Sequence, residues 1–333
     1  MRLSSWHQLP SSELLKLKWK DLNLSLEQSE INFYIQEIYS DLKAKGFLFK
    51  PKFFVSDGWY VSLGDTAIAV PFYLLHPRLK HLEIEIMGRI EGDRASELRR
   101  LIRHELGHSI DHAYKLQSNI ERTQLFGPSQ ANYPESYSAH LLSAKNYVQY
   151  LGQNYASSHP DEDWAETFAV WFDSRIHWRL RYPSGMARRK LNFMNRLMGE
   201  IKSQEVLQKR SIKKSDLIME QMTLKQLYQT RLNEEKRFYN FKREGLETIL
   251  VKKDENAKLL SPQTKQVLSD YLAQRVSCTK KDLQQVINNL EISLWRKGLR
   301  LNVKREKDFR ALSEYFNQNL ALYIGKEKNN ILM

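Results

Sequence analysis

Apolar positions along the chain recur with two distinct periods. Ile31, Tyr34, Ile35, Ile38 and Leu42 fall three and four residues apart, which predicts an amphipathic helix ending near Gly46. Ser11-Ser12-Glu13 ahead of Leu14, Leu15 and Leu17 predicts a shorter capped helix before it. Phe53-Phe54-Val55, Tyr60-Val61 and Ile68-Ala69-Val70 are short apolar runs separated by turn residues, and Leu82 to Ile86 alternates with period two. These runs predict a small sheet of three or four strands. Beyond Gly88 the helical period returns in a segment capped by Asp93 or Ser96 that runs to about Leu116. A loop over 127–138 and a short helix from about Ser143 to Leu151 follow. The next helix opens at Pro160, where the missing N–H is harmless, and Asp161, Glu162 and Asp163 suit its positive end. Its Trp164, Phe168, Trp171 and Phe172 recur at helical spacing and read as core. From about Met186 onward, periodic stretches interrupted by a single proline, Pro262, predict four to six further helices.

The order of elements predicts an α+β chain: a domain with a small mixed sheet and helices, then an all-helical C-terminal region. The expected divisions are an N-terminal helical segment, 1–50, packing on a domain of 51–200, and a basic helical domain of 201–333. Its 333 residues, 41% hydrophobic and 27% charged, are enough to pack one large or two ordinary domains. Cys278 is the single cysteine, so an internal disulfide and a Cys-ligated metal are both excluded, and Cys278 itself reads as packing. Any metal must rest on His and carboxylates.

That requirement directs attention to His104-Glu105-Leu106-Gly107-His108, inside a predicted helix. Histidines four residues apart share a face about one turn from each other, so both imidazoles can reach one Zn²⁺, while Glu105 lies close enough to contact the water such an ion activates. A catalytic zinc site needs a third protein ligand and an open fourth position. Two glutamates one turn apart, Glu162 and Glu166, start the helix that follows His159-Pro160. One can close a His₂Glu site, and the other can accept the second ring N–H of a ligating His.

These motifs resemble the gluzincin class of zinc metallopeptidases, in which a downstream helical glutamate completes the site. The register is similar to that of the protease domain of anthrax lethal factor, where a tyrosine lies seven residues before the ligand glutamate. Tyr155 stands seven before Glu162, so the resemblance implies His104, His108 and Glu162 as ligands of one zinc ion per chain. Glu166 would orient a ligating His, Glu105 would serve as general base, and Tyr155 would hydrogen-bond the developing oxyanion. A more extended likeness, through Ala69 to Leu79, Arg103 to His108 and Tyr155 to Phe172, is to an uncharacterised group of bacterial zinc-binding metallopeptidases, and covers about residues 50–200. The fold it implies is zincin-like, and the activity is hydrolysis of a peptide or protein substrate. By analogy with gluzincin edge strands, a strand at 66–70 would bind substrate backbone by β-augmentation.

The net charge of +13 invites a nucleic-acid reading until it is divided. Residues 1–174 hold 18 Lys plus Arg and 22 Asp plus Glu, a net of −4, which leaves 34 and 17, a net of +17, for 175–333. Every candidate catalytic residue lies in the acidic part. Lys/Arg clusters such as 188–190, 209–210 and 296–297 suit either a solvated, salt-bridged helical face or an anionic partner for the C-terminal half. A catalytically inactive zincin scaffold that binds nucleic acid or protein through this half is the competing reading. His112 reads as a polar face residue and His159 as a helix cap or cleft wall, while His7, His76, His81, His140 and His177 have no partner at ligand spacing. Neither an apolar leader nor an apolar run of about 18 residues is present, which predicts a cytoplasmic protein with no membrane span.

Overall fold

The computed structural model describes residues 6–132, 136–138, 146–151, 155–208, 221–236, 245–254, 258–274, 280–324 and 330–332. Cys278, His140 and the basic pairs at 209–210, 213–214 and 242–243 lie outside the described residues. The fold is α+β, and its chain forms two compact units, one from residues 1–82 and 91–227 and the other from 83–90 and 228–332.

In the first unit, helices α1 (Ser11–Leu14) and α2 (Ile31–Ala44) precede the sheet. Ile31, Ile35, Ile38 and Leu42 form the buried face of α2, as their spacing requires. Strands β1 (Phe53–Ser56), β2 (Tyr60–Val61) and β3 (Ile68–Pro71) follow in spatial order β1-β3-β2. β3 runs parallel to β1, with Phe53 opposite Ile68 and Ser56 opposite Pro71, and antiparallel to β2, with Tyr60 opposite Ala69. All four residues of β3 are buried. Helices α3 (Pro77–Met87), α4 (Ala95–Ala113), α5 (Ile120–Phe126), α6 (Pro160–Phe172), α7 (Trp178–Arg181) and α8 (Gly185–Ile201) come next, with a short strand β4 (Ser136–Ser138) between α5 and α6. The backbone of the N-terminal segment pairs with residues 222–225, through Trp19 N–H to the Met222 carbonyl and Leu224 N–H to the Leu17 carbonyl. The chain therefore returns to this unit well beyond residue 200.

The predicted strand at Leu82–Ile86 is helical, within α3. Pro77 starts the helix, and Leu79, Leu82 and Met87 supply buried positions at helical spacing. The polar alternate Glu83 is itself buried, accepting both ends of the Arg231 guanidinium at 2.8 Å. Of the helix expected from Ser143, residues 143–145 lie outside the described set and 147–151 are irregular.

The second unit contains the C-terminal turn of α3, most of α9 (Leu224–Lys236), and α10 (Pro262–Ala273), α11 (Lys280–Arg296) and α12 (Glu306–Ile324). Leu268 and Leu272 pack with Leu283, Ile287, Leu290, Leu312 and Phe316 in its core. Ser261 caps α10 by accepting the Thr264 N–H, and Pro262 occupies its first turn. To the expected helices the structure adds a two-stranded antiparallel ladder, β5 (Leu250–Lys252) with β6 (Leu299–Leu301). Among the described residues no helix is long and apolar enough to cross a membrane.

Candidate metal centre

Helix α4 is buried along most of its length, so its polar residues must find partners inside the protein. Leu98, Ile102, Leu106 and Ile110 anchor its apolar face. Ser109 donates to the Thr66 carbonyl at 2.6 Å, and His112 Nδ1 bonds the Asp65 carbonyl at 2.8 Å, tying α4 to the entry of β3. His112 is therefore committed to the sheet.

Helix α6 crosses α4 at very close range. An added Cβ on Gly107 would lie 2.9 Å from the Ala165 Cα, and the Gly107 carbonyl accepts the Trp164 indole N–H at 3.0 Å. Trp164, Phe168 and Phe172 are fully buried, and Trp171 is half-buried. His159 caps the helix: its Nδ1 accepts the Asp161 N–H at 3.1 Å, which leaves Nε2–H to donate to the Ala131 carbonyl at 2.9 Å. The cap reading of His159 is the one realised.

This crossing brings His104, His108 and Glu162 to one point. His104 Nε2 lies 2.9 Å from Glu162 Oε2 and 3.2 Å from His108 Nε2, and His108 Nε2 lies 3.3 Å from the same Glu162 oxygen. Glu166 is fully buried one turn further along α6. Its Oε1 bonds His104 Nδ1 at 3.1 Å, while the backbone N–H groups of Tyr150 and Leu151 donate to its Oε2 at 2.7 and 3.0 Å. These two amides are also the reason residues 147–151 are not helical, since their donors go to a side chain. Glu105 is buried, and its Oε2 has no hydrogen-bond partner among the described residues. Burial raises the Glu105 carboxyl above its ordinary range, against the opposing pull of His108 and His104. The Tyr155 ring stands 5.5 Å from that of His104, centre to centre.

Two imidazole nitrogens and a carboxylate oxygen within about 3 Å of one another make a poor arrangement without a cation between them. Burial opposes a charge on His104, yet the hydrogen bonds of Glu162 and Glu166 outweigh it and push the ring up to about 10. The same histidines hold Glu162 well below the usual carboxylate range despite its burial. A cation is thus what this cluster attracts, whether a proton or a metal. Ligand atoms about 2.0–2.2 Å from a tetrahedral zinc sit roughly 3.3–3.5 Å apart, close to the separations seen. With Glu166 accepting the proton on Nδ1, the lone pair of His104 Nε2 faces the common point. His104, His108 and Glu162 form a group that could hold a metal ion.

The site thus has the donor set of a His₂Glu metalloenzyme. Residues 96–225, a span that includes all of these side chains, match the family described as "Putative zinc-binding metallo-peptidase". No curated protein and no solved structure matches the chain.

One expectation is overturned. Among the described residues β3 is the middle strand and is buried, paired with β1 along its length and with β2 at Ile68 and Ala69, so it is not the edge strand that substrate pairing would need. Three further contributors have no mark in the local pattern that assigns them to the site: Gly107 as the contact point of the two helices, the Tyr150 and Leu151 amides, and the buried cations Arg122 and Lys190. A glycine inside a helical motif was the one visible signal among them.

Proposed function

We propose that the protein is a zinc-dependent peptidase of gluzincin type, with His104, His108 and Glu162 as the zinc ligands. The observation that carries this reading is the convergence of those three side chains beside Glu105, whose buried Oε2 has no other partner among the described residues. A zinc ion held there supplies Lewis-acid activation of a water molecule and of the scissile carbonyl. Glu105 takes the proton from the attacking water and returns it to the leaving amine, and its raised proton affinity suits both steps. Glu166 holds His104 in the tautomer that presents Nε2. Tyr155, beside the His104 ring, donates a hydrogen bond to the oxygen that gains charge.

Peptide or protein chains are the substrates on this reading, one zinc serves each chain, and the protein acts in the cytoplasm. The competing reading, an inactive scaffold whose basic C-terminal half binds an anionic partner, is weakened by how many of those cations have acidic neighbours: Lys190 with Asp163, Arg231 with Glu83, Lys265 with Glu291, Lys280 with Asp270 and Arg300 with Asp254. The test is Glu105→Gln measured for metal and cleavage together. A variant that keeps its zinc and loses hydrolysis of a peptide library supports the peptidase. Zinc-loaded wild type with no more hydrolysis than the variant sinks it in favour of the scaffold.

A further inference from the structure

Three consecutive carboxylates open α6, and all three are buried. Successive helical residues project about 100° apart, so Asp161 and Asp163 flank Glu162, one on each side. Each flanking carboxylate meets a buried cation from a different helix. On one side Arg122 of α5, with no exposed surface, donates from Nη2 to Asp161 Oδ1 at 2.7 Å. The same guanidinium grips Asp111 of α4 at 3.1 and 2.8 Å, and Ser129 bridges Arg122 to Asp161. On the other side Lys190 of α8, 3% exposed, places Nζ 2.5 Å from Asp163 Oδ2 and 3.2 Å from the Asn146 carbonyl. Asn146 lies a few residues before Tyr150 and Leu151, whose amides hold Glu166.

We infer that Arg122 and Lys190 are positioning residues of the metal centre, which fix the rotation of the first turn of α6 so that Glu162 alone of the three carboxylates faces His104 and His108. The inference rests on the zinc reading above. Its physical basis is that a buried carboxylate needs a partner, and a helix turn held from both sides by charge-assisted bonds can present its middle residue in only one direction. Without the clamps, Asp161 and Asp163 become alternative destinations for a cation, and Glu162 loses its fixed approach. Lys190 also holds the Asn146 carbonyl, close in sequence to the amides that hold Glu166, so one ammonium supports two of the contacts on which the site depends.

The test uses the full-length chain. Asp163→Leu combined with Lys190→Met replaces one ion pair by apolar side chains, an exchange that buried pairs often tolerate. On the other side, Asp161→Leu is compared with Asp161→Asn, which keeps an oxygen for Arg122 and Ser129. Zinc and cobalt(II) affinities are measured by chelator competition, together with the visible spectrum of the cobalt(II) protein and the melting of the metal-free protein. The expected result is a cooperative metal-free melt, zinc binding weakened at least about 10-fold, and a changed cobalt spectrum in the Leu/Met variant, with Asp161→Asn closer to wild type than Asp161→Leu. Affinity within about twofold of wild type in variants that melt cooperatively overturns the inference. Loss of the cooperative melt in both the double variant and Asp161→Leu also overturns it, because the clamps then serve the fold as a whole. Failure of wild type to bind zinc is the distinct outcome that removes the zinc reading itself.

Discussion

Gly107 and Ala165 touch where α4 and α6 cross, with space for a hydrogen on Gly107 and for nothing larger. That contact sets the distance from His104 and His108 on α4 to Glu162 and Glu166 on α6. The glycine between the two histidines therefore helps set the geometry of the His104, His108 and Glu162 group. A methyl group placed there meets backbone, which cannot rotate away. Gly107→Ala is expected to destabilise the protein by about 1–3 kcal/mol, as overpacked cores do, and to weaken zinc binding in the same step. Thermal melting with and without zinc measures both. An unchanged melt and unchanged affinity would show that the helices can separate at little cost.

Glu162 and Glu166 both bond His104, yet they do so on opposite sides of the ring. Glu162→Ala should abolish zinc binding, whereas Glu166→Ala should weaken it about 10–100-fold. Glu166→Ala also strands the Tyr150 and Leu151 amides, so it should lower the melting temperature of the metal-free protein. Isothermal titration and melting of both variants separate the two roles, and the reverse order of affinities would place the ligand one turn further along α6.

Tyr155→Phe should keep zinc and lose activity. Removal of one oxyanion donor costs roughly 10²–10³ in kcat at comparable sites, with the substrate KM little changed. Steady-state kinetics on a peptide found to be cleaved by wild type provide the check. Activity within about threefold of wild type would return Tyr155 to a packing role.

Asp173, at the C-terminal end of α6, accepts from the Arg175 guanidinium at 2.7 and 2.8 Å and from the Tyr150 hydroxyl at 3.0 Å, with Arg103 at 3.7 Å. Burial alone would raise its carboxyl, but the Arg175 bonds and the Arg103 charge hold it at about 2, below its ordinary 3.8. The depressed value means that its contribution to stability is present above the unfolded value and is lost as pH falls toward the folded one. Wild type should therefore melt above Asp173→Asn at about pH 6, and the gap should narrow between about pH 4 and pH 2. A gap independent of pH would assign the effect of the substitution to something other than this charge.

Helices α4 and α6 were legible because their chemistry and their period coincide. Histidines at 104 and 108 need a helix to share a face, and Pro160 with its acidic followers marks a helix start by local rules alone. The strand expected at Leu82–Ile86 failed because five alternating residues also fit a helix, and the arginine that makes Glu83 a buried position lies 148 residues away. Lys190 sits in a run of basic residues, which reads as a solvated face. Its burial depends on Asp163 and on neighbouring rings that the local pattern does not connect to it. Arg122 likewise meets its partners, Asp111 and Asp161, on other helices. Local sequence marks His104, His108 and Glu162, whereas the partners of Arg122 and Lys190 are defined by packing between helices.

The most direct measurement is anomalous diffraction at the zinc edge from crystals of the purified protein. The account predicts one strong peak per chain, bounded by His104 Nε2, His108 Nε2 and a Glu162 oxygen, with Glu105 beside it and not bonded to it. A peak at other side chains, or none from protein supplied with zinc, would contradict it.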